Sequence, residues 1–93
     1  MPPPQKVWKN LNHRDTLYRW IMQNKTGKNE LVVELLAGVN GQLLIAELPK
    51  IVRLDMVPAG IDFGRANGWK PEEAGEPFRC KYGGKGFRTI SDS

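Results

Sequence analysis

Apolar positions along this chain fall into short clusters separated by glycine- and proline-bearing stretches, and none is long enough to span a membrane as a helix. The clearest local signals lie between Pro58 and Pro77, PAGIDFGRANGWKPEEAGEP. Pro58 has its φ preset and no N–H to lose, so it suits a first helical position. Gly68 suits the left-handed residue that follows a helix end, and Pro71 prevents continuation. Gly60, Gly64 and Gly68 recur every four residues, which puts them on one side of a helix. The spacing predicts a short helix over 58–67, its glycine stripe close against a sheet. Trp69, just past the stop, is expected to fold back over the helix end.

The segments before it read as strands. In Thr16–Gln23, TLYRWIMQ, Tyr18, Trp20 and Met22 alternate as a strand would have them. Leu17, Trp20 and Ile21 also fit a helical face that Asp15 would cap, so both readings stand, with the β-branched and aromatic content favouring strand. Two apolar runs, LVVELLAGV and QLLIAEL, flank Asn40-Gly41. That pair predicts a two-residue hairpin turn, whose central residues need positive φ. Both runs are apolar on both faces. They predict a central hairpin covered on one side by the helix and on the other by a partner or by the N-terminal arm. Pro49 limits the second strand, and Ile51–Leu54 is expected to add an edge strand.

Residues 78–90, FRCKYGGKGFRTI, read as a second hairpin turning at Gly84-Lys85. Tyr82 then opposes Phe87 and Cys80 opposes Thr89. Phe78, Cys80, Tyr82 and Phe87 share one face, while Arg79, Lys81 and Arg88 share the other. The fold class that follows is α+β: a small antiparallel sheet, a meander plus a C-terminal hairpin, packed against one short helix. Residues 1–14 are expected to form a flexible basic arm, 15–90 a single domain and 91–93 a disordered tail.

The order of Pro58, Ile61, Ala66, Gly68, Trp69, Pro71, Gly75, Pro77 and Phe78 resembles the ending of many small uncharacterised bacterial α+β proteins. The likeness covers the last quarter of the chain. It implies a helix following a short antiparallel sheet and carries no function. The chain departs from the pattern in having Val57, not a Ser or Thr cap, before Pro58, and in running on through a glycine-rich tail.

Composition narrows the classes of function. Ninety-three residues make one domain with a small core, for which self-association is a natural way to hide more apolar surface. MPPPQKVWKN has no apolar region of the secretory kind, and the cytoplasm is the expected compartment. Cys80 is the only cysteine and His13 the only histidine. An intrachain disulfide, a cysteine cage and a multi-histidine metal site are therefore excluded within one chain, and no cofactor is expected. The net charge of +4 is unevenly spread. Residues 1–28 hold six basic groups and one acidic, residues 29–77 four and eight, and residues 78–93 four and one. Should the fold bring the ends together, they would form a basic patch opposite an acidic surface.

No catalytic constellation emerges. His13-Arg14-Asp15 spells the tripeptide of kinase catalytic loops, but the chain is far too short and lacks that loop's companions. Glu72, Glu73 and Glu76 in a Pro/Gly loop read as solvated carboxylates. Cys80, between Arg79 and Lys81, reads as a small core residue. The function expected is that of a non-enzymatic interaction module, a homodimer that binds a protein partner, with no membrane attachment. The alternative is sequence-tolerant binding of nucleic acid or another polyanion. Arg79, Lys81, Lys85 and Arg88 of the C-terminal hairpin would serve it, joined by Lys6 and Lys9 of the arm, with Trp8, Tyr82 and Phe87 as aromatic contacts.

Overall fold

A computed structural model describes residues 8–25, 28–36, 41–83 and 86–90. Six strands and one helix follow one another in the order β1 (Lys9–His13), β2 (Thr16–Lys25), β3 (Lys28–Leu35), β4 (Leu44–Leu48), α1 (Met56–Ala66), β5 (Phe78–Gly83) and β6 (Gly86–Thr89). The strands form one sheet in sequence order, β1-β2-β3-β4-β5-β6. Neighbours are antiparallel except for β4 and β5, which are parallel. That departs from an all-antiparallel sheet, and the connection explains it. A single helix between two strands returns the chain to the same end of the sheet, so the next strand runs in the same direction.

The segment Thr16–Lys25 is a strand, not a helix, and its alternation is the one expected: Tyr18 and Trp20 are buried on the face that meets α1. Leu31 and Val33 of β3 and Leu44, Ala46 and Leu48 of β4 line the same face. From the other layer come Met56, Val57 and Ile61 of α1, together with Trp69. This core is continuous across β2 to β5.

The helix begins two residues before the expected Pro58, which becomes its third residue, still within the turn whose N–H groups have no helical acceptor. Asp55 precedes the helix without a side-chain capping bond. The end is as read: Asn67 closes the last turn, Gly68 takes φ 108°, and the Trp69 N–H donates to the Gly64 carbonyl at 2.8 Å. The glycine stripe is a packing device. A Cβ on Gly64 would lie 3.1 Å from Trp69 and 3.2 Å from Leu44, and one on Gly60 would lie 3.3 Å from Phe87. Trp69 is buried over the helix end, stacked on Tyr18 at 5.9 Å, with its indole Nε1 donating to the Gln42 carbonyl at 2.9 Å.

Three expectations are corrected. The sheet starts at Lys9, inside the segment read as an arm, because Lys9–His13 pairs along β2. Ile51–Leu54 adds no strand: β5 takes the edge of β4 that it would have needed, and Ile51 and Leu54 are 79% and 75% exposed in the connection to α1. The register of β3 and β4 is not that of a turn at Asn40-Gly41. Such a turn would pair Val33 with Leu48, whereas Val33 pairs with Leu44. Asn40 lies outside the described residues. Gly41 has no positive φ, and glycine is needed there for a different reason: a Cβ would lie 2.0 Å from the Pro71 carbonyl oxygen.

Among the described residues no helix is long and apolar enough to cross a membrane.

Candidate interaction surface

Helix α1 covers one face of the sheet. Across the other, no helix or strand of the described residues passes. The register aligns Ile21 of β2, Val32 of β3, Ile45 of β4 and Arg79 of β5 in one row on this face. Ile90 extends it, its N–H donating to the Arg79 carbonyl at 3.1 Å. Ile21 and Val32 are each 7% exposed, whereas Leu17, on the same face of β2, is 51% exposed and Ile90 is 37%. The row arises because β2, β3 and β4 carry β-branched residues at positions opposite in parity to the core residues. That is the physical meaning of runs that are apolar on both faces.

Charges flank the row in an ordered way. Arg19 of β2 pairs with Glu34 of β3, and its guanidinium lies 4.8 Å from the centre of the Trp8 ring. Gln23 donates to Glu30 at 2.8 Å, and Lys28 lies 3.6 Å from Glu47. The acidic groups therefore sit on β3 and β4. Arg79 and Lys81 of β5 and Arg88 of β6 follow on the same face, Lys81 directly opposite Arg88. Among the described residues none of these three has a carboxylate within 4.0 Å.

The C-terminal hairpin has the expected register, with Tyr82 opposite Phe87 and Cys80 opposite Thr89. Its aromatic residues point away from its cations. Tyr82 and Phe87 meet edge to face at 5.0 Å, and Phe87 lies 5.7 Å from Phe63 of α1. They are part of the packing under the helix, so these two rings do not accompany Arg79, Lys81 and Arg88. Lys9 does not join those cations. It belongs to β1, at the edge of the sheet opposite β6, with three strands between it and β5. Its ammonium lies 5.3 Å from the centre of the Trp20 ring, on the helix side. The two basic ends of the chain thus do not converge through β1 and β6. Lys6 and Lys85 lie outside the described residues. Trp8 stands at the β1 edge, beside Arg19.

Cys80 is fully buried, and burial pushes its thiol up to about 12, which makes it a core residue and a poor nucleophile. The acidic loop is tied down. Glu72 accepts from Arg65 at 2.6 Å, and this bond holds its carboxyl below the usual range; Glu73 lies 3.8 Å from Lys70.

A second cluster was not legible in the sequence. His13 pairs with Thr16, so Arg14-Asp15 is a two-residue hairpin turn. Arg14 has φ 52° and Asp15 φ 62°, the left-handed pair that such a turn requires. For a side chain other than Gly, Asn or Asp that region costs about 1–2 kcal/mol. The turn brings His13 Nε2 and Arg14 Nε each to 2.9 Å from the same oxygen, Oδ1 of Asp62 in α1. The Arg14 bond is the main cause of the depressed Asp62 pKa. One helical turn on, Arg65 donates through Nε to the Tyr18 hydroxyl at 3.1 Å and through Nη1 to Glu72. The kinase-like tripeptide is thus a turn and an anchor. Residues 49 positions apart in sequence give no local signal of this contact.

Comparison with protein-family models, with curated protein sequences and with solved structures finds no match to the chain.

Proposed function

We propose that the protein is a non-enzymatic interaction module that pairs with a second copy of itself through the uncovered face of its sheet. The observation that carries this reading is the exposed apolar surface of Leu17 and Ile90 beside the row of Ile21, Val32 and Ile45, of which Ile21 and Val32 are already buried within the chain, on a face that no described helix or strand crosses. Charge complementarity favours a second copy as the occupant. Glu34 and Glu47 over β3 and β4 are already paired with Arg19 and Lys28, which leaves Glu30, bonded to the neutral Gln23, as the carboxylate available to the cations Arg79, Lys81 and Arg88 over β5 and β6. Two sheets packed face to face about a two-fold axis can set the basic edge of each over the acidic centre of the other, with the apolar rows between them. Such an interface is self-complementary by construction.

Charge reversal tests it. Arg79→Glu, Lys81→Glu and Arg88→Glu combined in one chain should abolish self-association. That variant should pair with a Glu30→Lys, Glu47→Lys chain when the two are mixed. A triple variant that self-associates as tightly as the parent would contradict the arrangement.

One observation favours a second reading. Arg79, Lys81 and Arg88 share a face without a carboxylate partner among the described residues, as a phosphate-contacting strip would. Binding of this kind is tolerant of sequence and weak, with Kd on the order of 10⁻⁴–10⁻⁶ M at physiological salt. Changing the three residues to Gln should flatten the log–log salt dependence of DNA binding. No retention of the parent on single- or double-stranded DNA at low salt would remove this reading.

A further inference from the structure

The end of the first hairpin, at His13, Arg14 and Thr16, and the side of α1 that carries Asp62, Arg65 and Ala66 border an open cleft of about 590 Å³, on the helix side of the sheet and away from the face proposed for self-association. We propose that this cleft binds a small molecule carrying a phosphate or carboxylate group, with Arg14 and Arg65 as its anion-binding side chains. This inference is independent of the self-association reading.

Ile61 and Ala66 give the wall an apolar part, and His13, Arg14, Thr16, Tyr18 and Arg65 supply polar groups; the Asp62 carboxylate also lines the cleft, its charge offset by the bonds from His13 and Arg14. A guanidinium offers five N–H donors. Among the described residues Arg14 uses one of them, on Asp62, and Arg65 uses two, on Tyr18 and Glu72. Both arginines line the same cleft with donors to spare. The carboxylates already bound act on their orientation. Asp62 fixes the Nε edge of Arg14, and Arg65 is held between Glu72, the Tyr18 hydroxyl and the Tyr18 and Trp69 rings, 5.8 and 5.9 Å away. Guanidinium groups fixed in this way lose less freedom when a ligand binds.

The backbone at Arg14 adds to the case. A two-residue turn with positive φ at both centres favours glycine or asparagine, and this chain places an arginine there, its side chain 75% exposed at the mouth of the cleft. An arginine at that point serves either as a clip to Asp62 or as a ligand group as well. The apolar wall favours an organic body on the anion over a bare ion.

Titration of the full-length parent, followed residue by residue by amide NMR, separates these roles. Inorganic phosphate, phenyl phosphate and benzoate are the probes. Saturable shifts at His13, Arg14 and Arg65 are expected, with at least one aromatic probe binding more tightly than inorganic phosphate. A preference for phenyl phosphate assigns a phosphate ester, and a preference for benzoate a carboxylate. Arg14→Gly keeps the turn geometry and removes the guanidinium, and should weaken binding by about tenfold or more, as expected when a charge-assisted bond is lost. Should Arg14→Gly fold poorly, Arg65→Lys, which keeps the charge and loses the fork, gives the same test. No saturable shift with any probe up to about 10 mM overturns the proposal, since affinities weaker than the millimolar range carry little specificity. Equal affinity of parent and variant overturns it too, and leaves Arg14 a clip.

Discussion

On one face of the sheet, Tyr18, Trp20, Leu31, Val33, Leu44, Ala46 and Cys80 meet α1 and Trp69; on the other, Ile21, Val32 and Ile45 meet no described helix. The two faces draw on the same strands and nearly the same residue types, yet among the described residues only one of them meets a helix. The covered face is sealed by close packing, with glycines where the helix backbone approaches and a tryptophan closing the end. The other holds a narrower apolar row between ordered charges. The described residues supply one helix, which covers one face of the six-stranded sheet. What the second face lacks within the chain, a second copy can provide.

Substitutions on the covered face should therefore act on folding, and substitutions on the other should act on association. The largest effect is expected at Trp69. Trp69→Ala removes a buried ring and its bond to Gln42, and should destabilise the domain by about 3–5 kcal/mol in denaturant unfolding. Gly64→Leu should follow, at about 1–3 kcal/mol, since even a Cβ there lies 3.1 Å from Trp69. An unchanged denaturant midpoint for that variant would contradict close packing of α1. On the uncovered face, Leu17→Asp and Ile90→Asp should leave monomer stability within about 0.5 kcal/mol, as exposed substitutions do, while preventing self-association in sedimentation. Loss of folded structure in those variants would mean the two faces do not divide labour in this way.

The smallest effect concerns pH. Arg14 holds the Asp62 carboxyl, and Arg65 the Glu72 carboxyl, below the usual range. A depressed carboxylate pKa contributes stability that is present above the unfolded value and lost as pH falls through the folded one. Both pairs are open to solvent, which screens them, so each contributes little to stability. Asp62→Asn should make the fall in thermal midpoint below about pH 4 shallower, where these carboxylates take up protons.

How much of this could be read from the residues depended on how local each signal was. The helix end was legible because Gly68 and Trp69 act within one turn of the helix. The Tyr82–Phe87 register was legible because a two-residue connection fixes it. Asn40-Gly41 misled because a strong turn signal yielded to the pairing of Asn29–Val33 with Leu44–Leu48 and to the close approach of Gly41 to Pro71. The first hairpin was invisible because Arg14-Asp15 adopts a glycine-like turn without a glycine. The cations of the C-terminal hairpin were placed on the correct face, but their separation from Lys9 depends on strand order, which no local pattern encodes.

The division between the two faces is tested most directly by the mass of the protein in solution. Light scattering over a hundredfold range of concentration about the micromolar level should give twice the 10.5 kDa chain mass for the parent. The Leu17→Asp, Ile90→Asp variant should give the single-chain mass with an unchanged circular dichroism spectrum. A parent that remains at 10.5 kDa throughout would contradict the account, and would mean that the row of Ile21, Val32 and Ile45 is not completed by a second copy.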